Sequence, residues 1–299
     1  MSIKIISAHA IFTENAIMLS QRFQIQIEKD FAPQRGDLYI VFGGHDIAPT
    51  LYQIQKARNN DFGYIIMNSE QLDSQAWRNK YYINLCRDNP VYHYSNHIAQ
   101  EIKERFKINP YSFFFFDFCL FDKSVIETTE QYDITFIGAK NPERERIMNE
   151  LVSAYPDKKF YIDFDYKNTN PMQLTKVLMS SKIVLNIPFY KDGVLETHRI
   201  NKALSCGCKV VSKLSIDHDA NEFYKDYIYF TTDLVKCLDD EAFLSQPRKQ
   251  YTNLLEELLP KMTSHNFYVA KQIHTKILSK YNIDVNNKET QTDKLETTI

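Results

Sequence analysis

The chain has 299 residues, 43% of them hydrophobic, enough for one large domain or two of ordinary size. Charged residues make up 25% and the formal net charge is −2, which excludes a general attraction to nucleic acid or anionic membrane but not a local basic patch. There are only 7 glycines, so their clusters are informative, and the 5 cysteines are odd in number and irregular in spacing, which points to a reducing compartment, the cytoplasm.

The N-terminus is apolar but broken by Lys4, Ser7 and His9, and reads as a first strand, Ile3–Ala10, rather than a leader peptide. A helix is predicted over Asn15–Arg22 and a strand over Leu38–Phe42, ending in Gly43-Gly44-His45-Asp46. The rhythm continues with a helix at Pro49–Arg58, a strand at Tyr64–Met67 and a helix at Asp73–Cys86. A strand at Val91–Tyr94, a helix at His97–Phe106 and a strand at Tyr111–Phe118 complete the set. Continuous apolar runs of this kind are what buried parallel strands look like. The most apolar run, Tyr111–Phe121, is short and carries Asp117, so no transmembrane segment is predicted.

The polar stretch Asp122–Gln131 reads as a linker, after which the rhythm restarts. Strands are predicted at Asp133–Gly138, Phe160–Phe164, Ile183–Ile187 and Lys209–Ser212. Helices are predicted at Pro142–Tyr155, opened by Asn141, at Pro171–Ser180 and at Leu195–Ser205, stopped by Gly207. Helices then dominate to Tyr281, and the polar tail Asn286–Ile299 reads as disordered. Cys206-Gly207-Cys208 lacks metal-site spacing and reads as a buried turn. The expected fold is α/β with two Rossmann-like domains whose parallel sheets face across a cleft. The boundaries are 1–121, a linker at 122–131, 132–262, a helix at 263–284 that packs back on the first domain, and a tail at 285–299. Ligands of such sheets bind beyond the carboxyl ends of the strands.

Two strand-to-helix turns in the second half have the chemistry of an anion site. In Ile137-Gly138-Ala139-Lys140-Asn141 the free N–H groups and helix dipole suit a phosphate, with Lys140 and Arg144 adding charge. The alternative for Arg144 is a solvated first turn shared with Glu143, Glu145 and Arg146. The second turn is Asp192-Gly193-Val194-Leu195-Glu196, where Gly193 permits close backbone approach. A carboxylate at Glu196 can accept from sugar or ribose hydroxyls, or merely favour the helix dipole.

Asp133–Leu151 ("DITFIGAKNPERERIMNEL"), Ser181–Ser212 ("SKIVLNIPFYKDGVLETHRINKALSCGCKVVS") and Tyr224–Leu238 ("YKDYIYFTTDLVKCL") resemble the C-terminal half of GT-B glycosyltransferases. Within these the chain is similar to the CgeB-like group and to families 1 and 4. The first half shares only the rhythm. The resemblance implies that Gly193, Val194, Leu195 and the following helix start hold the diphosphate and sugar of a nucleotide-sugar donor, UDP- or GDP-linked. Glu196, His198 and Arg199 are then donor-site candidates, with Gly138, Lys140 and Arg144 from the first turn, and Glu196 is expected to be solvent-accessible and replaceable by Gln without harm to the fold. Lys202 stands where many relatives carry the Glu that binds the ribose, and an ammonium cannot accept hydrogen bonds.

In the first half, His9 and His45 follow predicted strands and are candidates for the base that takes the acceptor's proton; turn histidines are the alternative. Asp163-Phe164-Asp165 has the form of a metal-binding pair of GT-A enzymes, but the GT-B resemblance replaces metal with helix dipoles and basic side chains. Asp217-His218-Asp219 reads as a loop. The expected activity is metal-independent, cofactor-free glycosyl transfer to a hydroxyl acceptor, whether saccharide, protein or nucleic acid. A nucleotide-sugar epimerase and a non-catalytic nucleotide-sugar-binding protein are the alternatives.

Overall fold

A computed structural model describes residues 2–9, 12–112, 131–165 and 170–246. The chain divides into two compact units, each an α/β domain built on its own parallel sheet. In the first unit the strands are β1 (Ile3–Ser7), β2 (Gln26–Ile27), β3 (Leu38–Phe42), β4 (Gly63–Asn68), β5 (Val91–His93) and β6 (Tyr111–Ser112). They lie in the order β2-β1-β3-β4-β5-β6, every neighbouring pair parallel. The helices are α1 (Thr13–Phe23), α2 (Ala48–Ala57), α3 (Lys80–Asp88) and α4 (Asn96–Phe106). All five residues of β3 are buried, as a central strand covered on both faces requires.

The second unit carries β7 (Tyr132–Ile137), β8 (Phe160–Asp163), β9 (Ser181–Asn186), β10 (Lys209–Ser212) and β11 (Ile228–Phe230) in the order β11-β10-β9-β7-β8, also parallel. Its helices are α5 (Pro142–Ala154), α6 (Pro171–Met179), α7 (Thr197–Ser205), α8 (His218–Tyr224) and α9 (Glu241–Ser245). Asn141 starts α5 by accepting the Arg144 amide at 2.8 Å, and Asn170 starts α6 by accepting the Met172 amide at 2.9 Å. Both helices place Pro at the first turn, where no donor is lost.

Several elements differ from the sequence reading. The single helix expected over Asp73–Cys86 is two: a 3-10 turn, Gln75–Arg78, and then α3. Asn79 is extended between them, and its side chain accepts the Tyr81 amide at 2.9 Å, a cap that restarts the chain. The edge strands β2 and β11 were not anticipated; each is too short to show a period. Asp217-His218-Asp219 is a helix start rather than a loop, since Asp217 accepts the Ala220 amide at 3.1 Å and caps α8. Cys206 and Cys208 are buried, with the Cys208 thiol donating to the Leu178 carbonyl at 2.9 Å. The linker at 122–130, the helices and tail expected beyond residue 246, and the end of the strand Tyr111–Phe118 lie outside the described residues.

In both sheets the chain first steps to one side and then to the other. From β1 it goes to β2 and then to β3, on opposite sides of β1; from β7 it goes to β8 and then to β9, on opposite sides of β7. The loops leaving β1 and β3, and those leaving β7 and β9, therefore diverge and open a crevice at the strand ends, the place where open α/β sheets bind ligands.

Candidate functional site

At the second sheet's crevice three charged side chains interlock. Arg144, on the first turn of α5, is 1% exposed, so it is not part of a solvated turn. Its Nε and Nη2 donate to the Ile187 carbonyl at 2.9 and 2.6 Å, and Nη1 donates to the Ala139 carbonyl at 2.8 Å. Nη2 also donates to Glu196 Oε1. From the other side Arg199 donates through Nε to the Ile137 carbonyl at 2.8 Å and through Nη1 to Asn186 Oδ1 at 3.0 Å. Its Nη2 donates to Glu196 Oε2 at 2.6 Å. The two arginines thus fasten the last residues of β7 and β9 together, and the Glu196 carboxylate bridges the arginines. A planar guanidinium fork meets carbonyls and a carboxylate simultaneously in a way an ammonium cannot.

The Phe189 amide also donates to Glu196 Oε1, at 2.9 Å, and the Phe189 carbonyl accepts from Asn141 Nδ2 at 2.7 Å. Glu196 is therefore not a freely accessible carboxylate: its side chain is 20% exposed and is held by three donors. This differs from the expectation of a freely solvent-accessible carboxylate. The Arg144 guanidinium is layered between two rings, 5.3 Å from the Phe136 centroid and 5.2 Å from that of Phe189.

Gly138 is a glycine for a reason the sequence did not show. A Cβ there would lie 2.7 Å from Arg199 Nη2, 2.9 Å from Phe136 Cζ and 3.1 Å from Arg144 Nη1. Its amide donates to the Asp163 carbonyl at 3.0 Å, so it is engaged in the sheet rather than free for an anion. The Gly193 amide is likewise committed, to the Tyr190 carbonyl at 3.1 Å. Val194 and Leu195 are fully buried and anchor the loop. Lys140 is exposed and pairs with Glu145 at 2.7 Å, a contact that raises its pKa. His198 sits half-buried on the first turn of α7, and Lys202 is buried on the same helix. Asp163 is buried, its Oδ1 accepting the Asp165 amide at 3.1 Å; among the described residues no group of three or more His, Cys, Asp or Glu is arranged to hold a metal.

At the first sheet's crevice His9 lies in the turn after β1, and Gly43, in the left-handed conformation (φ 68°), lies in the turn after β3. The two are so close that a Cβ on Gly43 would stand 3.2 Å from His9 Cβ. His45 is half-buried, with Nε2 3.4 Å from both Asp46 Oδ1 and Glu70 Oε1. Ser74 Oγ donates to Glu70, whose amide donates to Asn68 Oδ1 at 3.0 Å. The Tyr82 hydroxyl donates to the same Asn68 oxygen at 2.8 Å, and burial raises the Tyr82 pKa well above the phenolic range. Glu70 and Asn68 were missed because nothing in the local sequence places them beside His45; the parallel pairing of β3 with β4 does so.

No family model matches the chain, and no curated protein matches it. Solved structures do. The crystal structure of Anabaena HepE in complex with UDP and glucose superposes over 92% of this chain and 99% of that one, with a TM-score of 0.59 and 11% identity. The chain shares the fold of HepE. A second structure of HepE, in complex with UDP-glucose, covers 92% of this chain and 100% of that one at a TM-score of 0.60 and 9% identity. At such identity the likeness to HepE is one of architecture, with two Rossmann-like domains in series. Among the described residues no helix is long and apolar enough to cross a membrane.

Proposed function

We propose that this protein is a glycosyltransferase of GT-B type that moves a sugar from a nucleotide-sugar donor, first of all a UDP-sugar, to a hydroxyl acceptor without a metal ion. The observation that supports this most is the shared architecture with HepE, one structure of which holds UDP and glucose and another UDP-glucose. The CgeB-like motifs fall on the β7, β9 and α7 crevice, where open sheets take their ligands. In this reading the second unit binds the donor. The start of α7 and the loop at Gly193 meet the diphosphate, while Arg144, Glu196 and Arg199 shape the crevice wall and lend it net positive charge. The first unit takes the acceptor, with His45 as the base and His9 lining the same strand ends. The odd number of cysteines and the buried thiols of Cys86 and Cys237 fit a cytoplasmic setting.

A second reading, binding without transfer, is favoured by Lys202, buried where relatives carry a ribose-binding carboxylate. A thermal-shift screen over UDP-, GDP-, TDP- and CMP-sugars, in EDTA, tests the donor class. Ligand at 100 times its dissociation constant stabilises by about 2.7 kcal/mol. A shift that vanishes in EDTA overturns metal independence, and no shift with any nucleotide sugar overturns the assignment. Release of free sugar or transfer to an added hydroxyl acceptor separates the enzyme from the binder.

A further inference from the structure

We propose that Phe189 is the platform on which the nucleobase of the donor stacks, an inference that rests on the nucleotide-sugar reading above. Large apolar side chains at an exposed loop are ordinarily free to turn. Phe189 is 39% exposed, yet its main chain is pinned on both sides, the amide to Glu196 at 2.9 Å and the carbonyl by Asn141 at 2.7 Å. The ring edge is braced by Tyr190, whose centroid lies 5.1 Å away at an interplanar angle of 80°. Beneath it lies the Arg144 guanidinium, and beneath that Phe136, which is fully buried. The core thus rises to the surface as successive layers of ring, cation and ring.

This stack stands just past the end of β9, at the crevice where β7 and β9 part. A flat, rigid, amphipathic partner is what such a layer accepts. Every nucleobase offers a π-face, and the ordering entropy of the ring has already been lost in the folded protein. A phosphate gains nothing from a planar apolar surface, and a sugar can lay only a puckered C–H face on it, whereas a base is flat and π-bonded throughout. The class of ligand that the stack fits is therefore the base of a nucleoside diphosphate.

The test is calorimetric titration of the full chain and its F189A, F189L and F189Y variants with UDP, GDP and ribose 5-diphosphate, which lacks the base. F189A should weaken the preferred nucleoside diphosphate by roughly 5- to 150-fold. F189L, which keeps apolar bulk and the loop, should lose a similar amount, and F189Y should restore binding. Removing the base should weaken the parent protein strongly and F189A little, because the two changes delete one contact. Equal losses for UDP and ribose 5-diphosphate in F189A, or full affinity in both F189A and F189L, would overturn the stacking role while leaving the donor assignment intact. A parent protein that binds neither nucleotide overturns that assignment and the stacking role with it.

Discussion

The guanidinium of Arg144 meets the carboxylate of Glu196 across 52 residues of chain, and the contact joins the loops leaving β7 and β9. Because Arg144 is buried and Glu196 is half-buried and held by three donors, the pair is closer to a fixed part of the fold than to a ligand contact waiting in solvent. Removing one partner leaves a buried charge undercompensated. Glu196→Ala should therefore lower the unfolding free energy by about 1.5–3 kcal/mol, the usual cost of losing hydrogen bonds to a charged group. Glu196→Gln should lower it by less, since it keeps the amide contact from Phe189. Urea unfolding at neutral pH measures both, and unchanged stability in Glu196→Ala would show that the carboxylate serves the ligand alone.

Gly138→Ala tests how tightly the two arginines are packed. The new methyl would collide with Phe136, whose ring is buried and cannot retreat, and with both guanidinium groups. Overpacking of this kind costs about 1–3 kcal/mol. Gly207→Ala is the control: nothing lies within 4 Å of its added Cβ, and only the left-handed backbone (φ 81°) is strained, a penalty of roughly 1–2 kcal/mol. Gly138→Ala should also weaken donor binding, whereas Gly207→Ala should not. A donor affinity that falls equally in both would contradict the assignment of the crevice.

His45 Nε2 has two carboxylate oxygens at 3.4 Å, from Asp46 and Glu70, and lies in the loop after β3; the proposed role as base makes it the residue to test in the first unit. His45→Ala should reduce turnover by about 10²- to 10⁴-fold, the range for general base catalysis, with donor affinity unchanged. Retention of turnover in His45→Ala with loss in His9→Ala would move the base to the other side of the same crevice.

Much of this was legible in the sequence, and the limits are physical. Buried parallel strands such as Leu38–Phe42 announce themselves as apolar runs, and Asn141-Pro142 and Asn170-Pro171 announce helix starts. The turn at Gly138 lies where the sequence puts it, but the Gly138 N–H expected to be free for a phosphate is bonded to Asp163, and the space beside the residue is filled by arginines from α5 and α7. Sequence can show that Arg144 and Glu196 flank two turns; it cannot show that Arg144 also donates to the carbonyls of Ala139 and Ile187, since every residue has one. Phe189 was passed over because an aromatic beside a strand is ordinarily core, and only its exposure sets it apart.

The opposite end of the first sheet carries an ion network whose pH dependence can be worked out. Lys4 on β1 pairs with Glu28 at 2.8 Å and with Asp37 at 3.2 Å. Burial alone would raise the Asp37 carboxyl, but the Ser2 hydroxyl at 2.7 Å, the Gln34 amide at 3.0 Å and Lys4 outweigh it and hold the carboxyl below the usual range. A carboxylate lowered in the folded state stabilises the fold fully above its unfolded value, about 3.9, and that contribution fades as pH falls toward its folded value. Lys4 runs the other way: its pKa is raised, chiefly by Glu28, so its contribution persists through neutrality and is lost only in strong alkali. Asp37→Asn should thus be less stable than the parent by about 1.5–3 kcal/mol at pH 7. The gap should narrow steadily below about pH 5, because the parent's own carboxyl is then being protonated. Urea unfolding of both proteins at pH 7, 5 and 3 reads this directly. A gap of constant size across that range would mean that Asp37 acts through the shape of its hydrogen bonds and not through its charge.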